Sequence, residues 1–307
     1  MKHYSVLLAE SIEGLNINPD GIYVDATLGY GGHSEAILKR IKKGFLFAFD
    51  QDEEAIHFSQ ERLTKVSSNF QIIYSNFVNL KTALAEQNIA SVDGIIFDLG
   101  LSSPQIDDAA RGFSFMRDAA LDMRMDMNSS LTASEVVNSY SLEKLVDIFF
   151  RYGEEKFSKS IAKNIIKQRE IAPITTTLAL TEIIKTAVPY QYYLKHHPER
   201  QIFQAIRIEV NQELEVLEKV LTDAIELLKP KGRICVITFH SLEDRIVKQI
   251  FKQNSKINDL VKGLPEIPAE YLPLIKLINH KPILPSAAEI NENSRSKSAK
   301  LRIIERI

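Results

Sequence analysis

The sequence has little of what secreted, membrane-embedded or strongly charged proteins contain. Its only cysteine, Cys235, excludes an intramolecular disulfide and a cysteine-based zinc site, and we assign no metal ligands. No apolar run reaches the roughly 18 residues that a membrane-spanning helix needs, and no apolar leader opens the chain. The formal net charge is only −2, so the chain as a whole is not an electrostatic nucleic-acid binder. We therefore expect a cytoplasmic globular protein whose contacts with nucleic acid would come from local basic patches.

A glycine-rich turn near the N-terminus is the first candidate for a ligand site. Gly29, Gly31 and Gly32 follow an apolar stretch at 22–24 and precede a helical pattern. Glycines let the backbone turn sharply and lie close to a ligand, and the following helix points N–H groups at that ligand. The GxGxxG fingerprint is not matched, so the turn alone does not distinguish a ligand site from a plain tight turn.

A carboxylate follows the turn at the distance expected for a nucleotide site. The apolar stretch 45–49 reads as a second strand, and it ends at Asp50, about 20 residues past the turn, where a ribose-binding acid belongs. The alternative is that Asp50 only begins the next turn or caps a helix. Asp52 is better placed for capping, so we favour the ligand role for Asp50.

Strands and helices alternate over the first hundred residues. The predicted strands are 22–25, 45–49, 70–74 and 92–97. Continuous apolar strands in this alternation predict an α/β fold, with a parallel Rossmann-like sheet covered on both faces. Ligands bind outside the carboxyl ends of such strands. Four candidate residues fall at those ends: Gly31, Asp50, Phe77 and Asp98.

The alternation stops after Gln105. Residues 107–205 contain no convincing strand pair, and their periodicity predicts helices around 132–138, 141–150, 154–169 and 175–187. We predict an all-helical substrate-recognition domain at 107–205, inserted into a discontinuous α/β domain of residues 1–106 and 206–307.

A one-sided row of lysines lies in the predicted insertion. Lys159 and Lys163 share a helix face with Lys156 and Lys167. A solvated surface is the usual interpretation of such a face. Because this face carries only one sign of charge, the alternative interpretation is that it contacts phosphates.

The α/β pattern resumes in the last third of the chain. Apolar periodicity over 203–228 predicts one long helix, followed by a turn at 229–232 and a strand at 234–239. Ser241 with Asp244 reads as a helix-capping box, which leaves His240, at the strand end, as a site candidate. Arg295 and Lys297 lie in a basic segment that is either an RNA contact or a solvated tail.

The nucleotide site has two candidate cofactors. The missing GxGxxG disfavours a nicotinamide dinucleotide. Asp50 suits ribose hydroxyls, and Phe77 suits a flat adenine, although Phe77 also fits as a core aromatic. Asp98 could accept a hydrogen bond from an amine substrate or from the cofactor. This set favours S-adenosylmethionine, whose methyl transfer needs positioning more than acid–base power.

Seven motifs, in order along nearly the whole chain, resemble those of the ribosomal RNA small subunit methyltransferase H family. They are DATLGYGGHS at 25–34, DLGLSSPQ at 98–105, RGFSF at 111–115, LDMRM at 121–125, FQAIRIEVN at 203–211, FHSLEDR at 239–245 and SAKLR at 298–302. The resemblance implies a class I methyltransferase sheet with an inserted helical domain. It also implies S-adenosylmethionine-dependent methylation of the exocyclic N4 of a cytidine in the decoding centre of 16S rRNA, within the small ribosomal subunit.

The resemblance also assigns residues. Its cofactor contacts correspond to Gly31, Gly32, His33, Asp50, Phe77, Asp98 and Gln105. We take Asp98 and His240 as candidate catalytic residues. Candidate substrate contacts are Arg111, Phe113, Phe115, Lys159, Lys163, Arg295 and Lys297. Two other functions stay open, a nicotinamide-dependent oxidoreductase and a non-catalytic RNA-binding factor of ribosome assembly, and a homodimer is compatible with the sequence.

Overall fold

The structure, a computed structural model, describes residues 5–101, 105, 108–257, 261, 265–268 and 271–307. The chain divides into two compact units. The first combines Met1–Gly100 with Leu214–Ile307, and the second is Leu101–Glu213. Within the described ranges, no helix is long and apolar enough to cross a membrane.

A seven-stranded sheet forms the centre of the first unit. Its strands are β1 (Ile22–Asp25), β2 (Phe45–Asp50), β3 (Phe70–Tyr74), β4 (Val92–Asp98), β5 (Leu228–Thr238), β6 (Ile275–Leu277) and β7 (Lys300–Arg306). Their order across the sheet is β3-β2-β1-β4-β5-β7-β6. The first five strands are parallel, whereas β7 runs antiparallel to both β5 and β6. The predicted parallel sheet is confirmed.

Alternate residues of the strands enter two separate apolar cores. Phe47 and Phe49 of β2 belong to one core, and Leu46 and Ala48 belong to the other. Since successive strand side chains point to opposite faces, each core covers one face of the sheet. This double burial explains why the strand sequences are continuously apolar.

Four helices lie in the N-terminal half: the first precedes β1, and the other three connect the parallel strands. They are α1 (Leu8–Leu15), α2 (Gly32–Leu38), α3 (Glu53–Thr64) and α4 (Leu80–Glu86). The Asp52 carboxylate accepts a hydrogen bond from Glu54 N–H and caps α3, as the sequence predicts. Phe77 lies in a short 3₁₀ helix, Phe77–Asn79, which leads into α4.

The described residues of the second unit form helices and irregular segments, with one isolated β-bridge between Ala120 and Thr176. Its helices are α5 (Ala133–Ser139), α6 (Leu142–Arg151), α7 (Ser158–Arg169), α8 (Thr177–Thr186), α9 (Tyr190–His196) and α10 (Pro198–Asn211). They enclose an apolar core of their own, with Phe149, Ile161 and Ile206 among its fully buried residues.

The predicted single helix over 203–228 is wrong, because the structure has two helices there. α10 ends at Asn211, and α11 (Glu213–Leu227) begins after Gln212, whose φ of 51° is left-handed. Val210 packs in the core of the second unit and Leu217 in a core of the first. Each helix buries an apolar face in its own unit, so the apolar repeat runs on through the break and conceals it. The predicted domain boundary at 205/206 therefore lies inside α10.

The predicted turn at 229–232 is also wrong, because these residues are part of β5. Val92 pairs with Leu228 and Gly94 with Arg233, so the intervening residues of β5 form a bulge. Lys231 takes a φ of 66° in this bulge. The structure also describes α12 (Ser241–Asn254) and α13 (Ala287–Glu292) in the first unit, followed by a 3₁₀ helix, Ser294–Ser298.

Candidate functional site

The glycine-rich turn is fastened to the neighbouring strand ends. Gly29 N–H donates to Asp50 Oδ2 at 2.8 Å, and the Ser59 hydroxyl donates to Gly29 O at 2.6 Å. Gly31 has a φ of 74°, and its N–H donates to Leu28 O to close the turn. A glycine is needed at position 31, because other residues rarely adopt this conformation. The turn is therefore a fixed cradle at the carboxyl end of β1.

Asp50 ends β2 with both carboxylate oxygens directed at backbone N–H groups. Oδ2 accepts from Gly29 N–H, and Oδ1 accepts from Asp52 N–H at 3.0 Å. Burial raises the pKa of Asp50 to about 6. Each carboxylate oxygen has a second lone pair, so Asp50 can still accept hydrogen bonds from ribose hydroxyls.

Phe77 lies beside the end of β2. Asn76, which precedes it, donates from its side chain to Gln51 Oε1 at 2.8 Å. The Phe77 ring is half-buried and meets the Phe97 ring edge-on, with centroids 5.9 Å apart. One face of the apolar core thus supports the ring while part of it stays accessible, as stacking on an adenine requires.

Asp98 ends β4, and one of its carboxylate oxygens has no hydrogen-bond partner among the residues that the structure describes. Oδ2 lies 3.7 Å from His33 Nδ1, and Oδ1 is buried without a hydrogen bond. Asp98 N–H donates to Thr27 Oγ1 at 2.6 Å, which ties β4 to the glycine-rich turn. Burial, with Asp25 and Glu243 nearby, raises the pKa of Asp98 well above its usual range, although 24 % of the side chain remains accessible. A buried oxygen without a partner is costly, and a bound donor would satisfy it.

The sequence interpretation missed the acidic neighbours of Asp98. Asp25, Glu243 and Glu289 all raise its pKa through their charges. Asp25 did carry a signal, since it ends β1 and begins the first motif, in the same position as Asp50 and Asp98 on their strands. Glu289 lies in the first turn of α13, where its N–H donates to the Ser286 hydroxyl oxygen that caps the helix.

We expect the stability of the first unit to fall as pH rises from about 4 to about 6, in part because of Asp25. Burial raises the pKa of this carboxyl from 3.8 to about 6. The folded chain therefore binds the Asp25 proton more tightly than the unfolded chain, and ionisation costs up to about 3 kcal/mol above pH 6. Asp25→Asn should flatten the dependence of the unfolding free energy on pH, as measured by urea denaturation between pH 4 and 7.

The Asn side chain can keep the local contacts of Asp25. Its oxygen can accept from Thr27 N–H, and its amide can donate to the Ser34 hydroxyl, which now donates to Asp25 Oδ2. Asp20→Asn, on the exposed surface, is the matched control for the loss of one charge. Equal slopes for Asp25→Asn and the parent protein would contradict the prediction.

His240 is used as a helix cap. Its Nδ1 accepts from Glu243 N–H at 3.4 Å, while Glu243 Oε2 accepts from the N–H groups of Phe239 and His240. The capping box is thus His240 with Glu243, and the predicted box of Ser241 with Asp244 is wrong. A catalytic role for His240 stays a prediction.

Asp244 is drawn away from the cap by two cations of β7. Arg302 Nε donates to Asp244 Oδ1 at 2.7 Å, and Lys300 Nζ lies 3.4 Å from Asp244 Oδ2. These cations hold the pKa of Asp244 below its usual value against the opposing effect of burial. These two ion pairs explain why the capping residue is His240 and not Ser241. They also fasten α12 to the sheet.

The other predicted residues lie in different surroundings. Gln105 is buried and belongs to the second unit. Arg111 donates from Nη2 to the carbonyls of Arg124 and Met125, both at 3.0 Å. Phe113 lies in the core of the second unit, and Phe115 meets Phe203 edge-on at 5.7 Å. These contacts give the three motif residues a structural role, and their contact with substrate stays a prediction.

The predicted basic contacts are exposed. Lys159 and Lys163 lie on the outer face of α7, and neither forms an ion pair with an acidic side chain within the described ranges. Arg295 and Lys297 are exposed in the 3₁₀ helix that precedes β7. These cations are therefore accessible to a polyanion, and their contact with RNA stays a prediction.

The first unit fits a cationic, adenosine-bearing cofactor. Its strand ends offer Asp50, the accessible part of Phe77 and the N–H groups that start α2 beside Gly31 and His33. Asp98 lies among further carboxyl groups, so positive charge on a ligand is favoured near the end of β4. S-adenosylmethionine carries such charges on its sulfonium and ammonium groups.

Comparison with known proteins identifies the family of this chain. The profile described as the MraW methylase family matches residues 1–307. Over 307 residues the chain is 54 % identical to the ribosomal RNA small subunit methyltransferase H of Exiguobacterium sibiricum, covering 100 % of this chain and 98 % of that protein.

Solved structures show a more distant likeness. One is an rRNA methylase of Streptococcus thermophilus, with a TM-score of 0.46 and 11 % identity over 100 % of this chain and 99 % of that chain. Another is a methyltransferase of Streptococcus mutans in complex with SAH, with a TM-score of 0.44 and 12 % identity over 99 % of both chains. The assignment rests on the sequence matches, which span the whole chain: it belongs to the MraW methylase family and is an S-adenosylmethionine-dependent methyltransferase.

Proposed function

We propose that this chain methylates the exocyclic N4 of a cytidine in the decoding centre of 16S rRNA, within the small ribosomal subunit. The name of the relative from Exiguobacterium sibiricum supports small-subunit rRNA as the substrate class. The motif resemblance supports the cytidine N4. Family membership disfavours a nicotinamide-dependent oxidoreductase. The proposal places the reaction in the cytoplasm and leaves a homodimer as an option for the assembled enzyme.

The buried, unpartnered oxygen of Asp98 carries this proposal. S-adenosylmethionine supplies an activated methyl group on its sulfonium. An exocyclic amine of cytosine is a weak nucleophile, because its lone pair is delocalised into the ring. Within the described residues Asp98 Oδ1 forms no hydrogen bond, and we assign it as the acceptor of an N–H of that amine. An acceptor at this position orients the amine and takes its proton as the new N–C bond forms.

The other candidate residues bind the cofactor and the RNA and hold them in position. Asp50 accepts the ribose hydroxyls, Phe77 supports the adenine, and the N–H groups of Gly32 and His33 meet the methionine carboxylate. Lys159 and Lys163 contact RNA phosphates, and the exposed Arg295 and Lys297 offer a second basic contact.

Asp50→Asn should weaken cofactor binding about tenfold to a hundredfold, since hydrogen bonds to a charged group are each worth about 1.5–3 kcal/mol. Turnover at saturating cofactor should change little, because Asp50 does not handle the substrate. Calorimetric titration with S-adenosylhomocysteine measures the first quantity, and single-turnover assays measure the second. A large loss of turnover with unchanged affinity would contradict the ribose role.

The direct test is transfer of tritium from labelled S-adenosylmethionine to undermodified small subunits, to free 16S rRNA and to protein, followed by mapping of the labelled nucleotide. We expect label on one cytidine N4, in subunits more than in free RNA. Label elsewhere in rRNA would overturn the proposed target. Binding to subunits without any label would favour the non-catalytic assembly factor.

A further inference from the structure

Helix α3 holds two carbonyl groups of the glycine-rich turn. The buried Ser59 hydroxyl donates to Gly29 O at 2.6 Å, and Arg62 Nη1 donates to Tyr30 O at 2.9 Å. Residues three apart on a helix lie on the same face, so Ser59 and Arg62 reach the turn together. The turn therefore receives two side-chain donors from a helix that follows the next strand in sequence.

Glu35 of α2 holds the Arg62 side chain in place. Its Oε2 accepts from Arg62 Nε at 2.5 Å, and its Oε1 accepts from Lys39 Nζ. Lys39, together with Arg62, keeps the pKa of Glu35 below its usual value, so this carboxylate is ionised at neutral pH. The Arg62 guanidinium thus joins a side chain of α2 to the backbone of the turn that precedes α2.

The outer carbonyls of the turn are held by backbone groups. Leu28 O accepts from Gly31 N–H at 2.8 Å, and Gly31 O accepts from Glu35 N–H at 2.8 Å. Every carbonyl oxygen from Leu28 to Gly31 therefore accepts a hydrogen bond. The two in the middle, at Gly29 and Tyr30, receive theirs from the side chains of α3.

The two middle peptide groups are where the turn can most easily change shape. Gly29 and Gly31 have φ values of 49° and 74°, and glycine also tolerates the backbone angles of a reversed peptide group. Since the group is planar and trans, reversal exchanges the positions of its C=O and N–H. Reversing the group between Tyr30 and Gly31 would take Gly31 N–H away from Leu28 O and turn a carbonyl oxygen into the turn. A negatively charged ligand group would be repelled by that oxygen.

We propose that Ser59 and Arg62 are positioning residues for the methionine part of S-adenosylmethionine. By holding two carbonyls of the turn against α3, they keep it in the backbone arrangement that accepts the methionine carboxylate. This inference rests on the proposed function, which places that carboxylate at Gly32 and His33, and it adds the residues that shape the turn from behind.

Two ligands separate the methionine part of the cofactor from its adenosine part. S-adenosylhomocysteine carries the amino-acid group, whereas 5′-methylthioadenosine lacks it and keeps the adenine, the ribose and the sulfur. We expect Ser59→Ala and Arg62→Met each to weaken binding of S-adenosylhomocysteine by about tenfold, since a hydrogen bond to a charged carboxylate is worth at least about that factor. Binding of 5′-methylthioadenosine should change less than about twofold, because its contacts lie apart from the altered groups. Calorimetric titration measures both affinities.

Two exposed residues of the same helix region provide matched controls. Gln60→Ala alters the neighbour of Ser59, and Lys65→Met removes one cation at the end of α3. Neither variant should change the ratio of the two affinities. Because Ser59 is uncharged, a loss in Arg62→Met alone would indicate simple charge attraction and would overturn the proposal.

The remaining outcomes separate positioning from a general structural role. In methylation assays of Ser59→Ala, the KM for S-adenosylmethionine should rise about tenfold while turnover at saturating cofactor stays within about twofold of the parent protein. Unchanged affinities, or equal losses for both ligands, would overturn the proposal.

The same titrations keep this inference distinct from the proposed function. A parent protein that binds both ligands equally would overturn the proposed place of the methionine carboxylate, and this inference with it. The expected ligand discrimination in a protein that does not label rRNA would instead count against the proposed substrate alone.

Discussion

Asp98→Asn is expected to lower turnover by about 10²- to 10⁴-fold, the range for loss of a positioned acid–base group. The amide keeps the size of the side chain and can still accept a hydrogen bond, but it cannot take a proton from the amine. Cofactor affinity should change less than about threefold, because Asp50, Phe77 and the glycine-rich turn are retained. The result would separate proton handling at β4 from cofactor binding at β2.

Single-turnover methylation of undermodified subunits measures the first effect, and calorimetric titration with S-adenosylhomocysteine measures the second. Asp50→Asn is the matched control, because the same chemical change at the neighbouring strand end should give the opposite pattern. Equal losses of turnover and affinity in Asp98→Asn would contradict a substrate role and assign Asp98 to the cofactor alone.

The second large effect is expected from reversing two charges on α7. Lys159→Glu with Lys163→Glu should weaken binding to 16S rRNA by about tenfold to a hundredfold at low salt. Two lost phosphate contacts should also reduce the slope of log affinity against log salt by about 1.4 to 1.8. Filter binding at several salt concentrations measures both quantities, and cofactor affinity should stay unchanged.

The chain offers a matched control for this charge reversal. Lys42 and Lys43 are exposed in the segment between α2 and β2, at the amino ends of the strands. Lys42→Glu with Lys43→Glu alters the net charge by the same amount away from α7. An unchanged salt slope in the α7 variant, or an equal loss in the control, would remove the lysine face from the RNA interface.

The sequence was sufficient to predict the parallel strands β1 to β4 and the edge of the sheet, at their carboxyl ends, where the candidate site residues lie. Strands buried on both faces are continuously apolar, so β1 to β4 stand out, and their carboxyl ends place Asp50 and Asp98 without further information. The turn around Gly31 is equally local, because its left-handed backbone requires glycine.

Tertiary contacts decided the features that the sequence did not reveal. The break at Gln212 leaves the apolar period intact, because the helices on either side bury their faces in different cores. The cap moves to His240 because Arg302, far along the chain, binds Asp244. The carboxyl groups around Asp98 come from β1, α12 and α13, and no local pattern connects them.

The antiparallel strand β7 has a consequence for how the enzyme is made. It lies between β5 and β6, and its segment supplies Lys300 and Arg302 to Asp244. Leu7 N–H donates to Glu289 Oε1 and so fastens the N-terminal segment beside His33, although the two residues are 282 positions apart in sequence. The glycine-rich turn is synthesised early in translation. At that stage the chain still lacks Glu289 and strand β7, which contact the elements around the turn. The cofactor pocket should mature only after residues 289–306 have emerged from the ribosome, so this methyltransferase would have no activity as a partly synthesised chain.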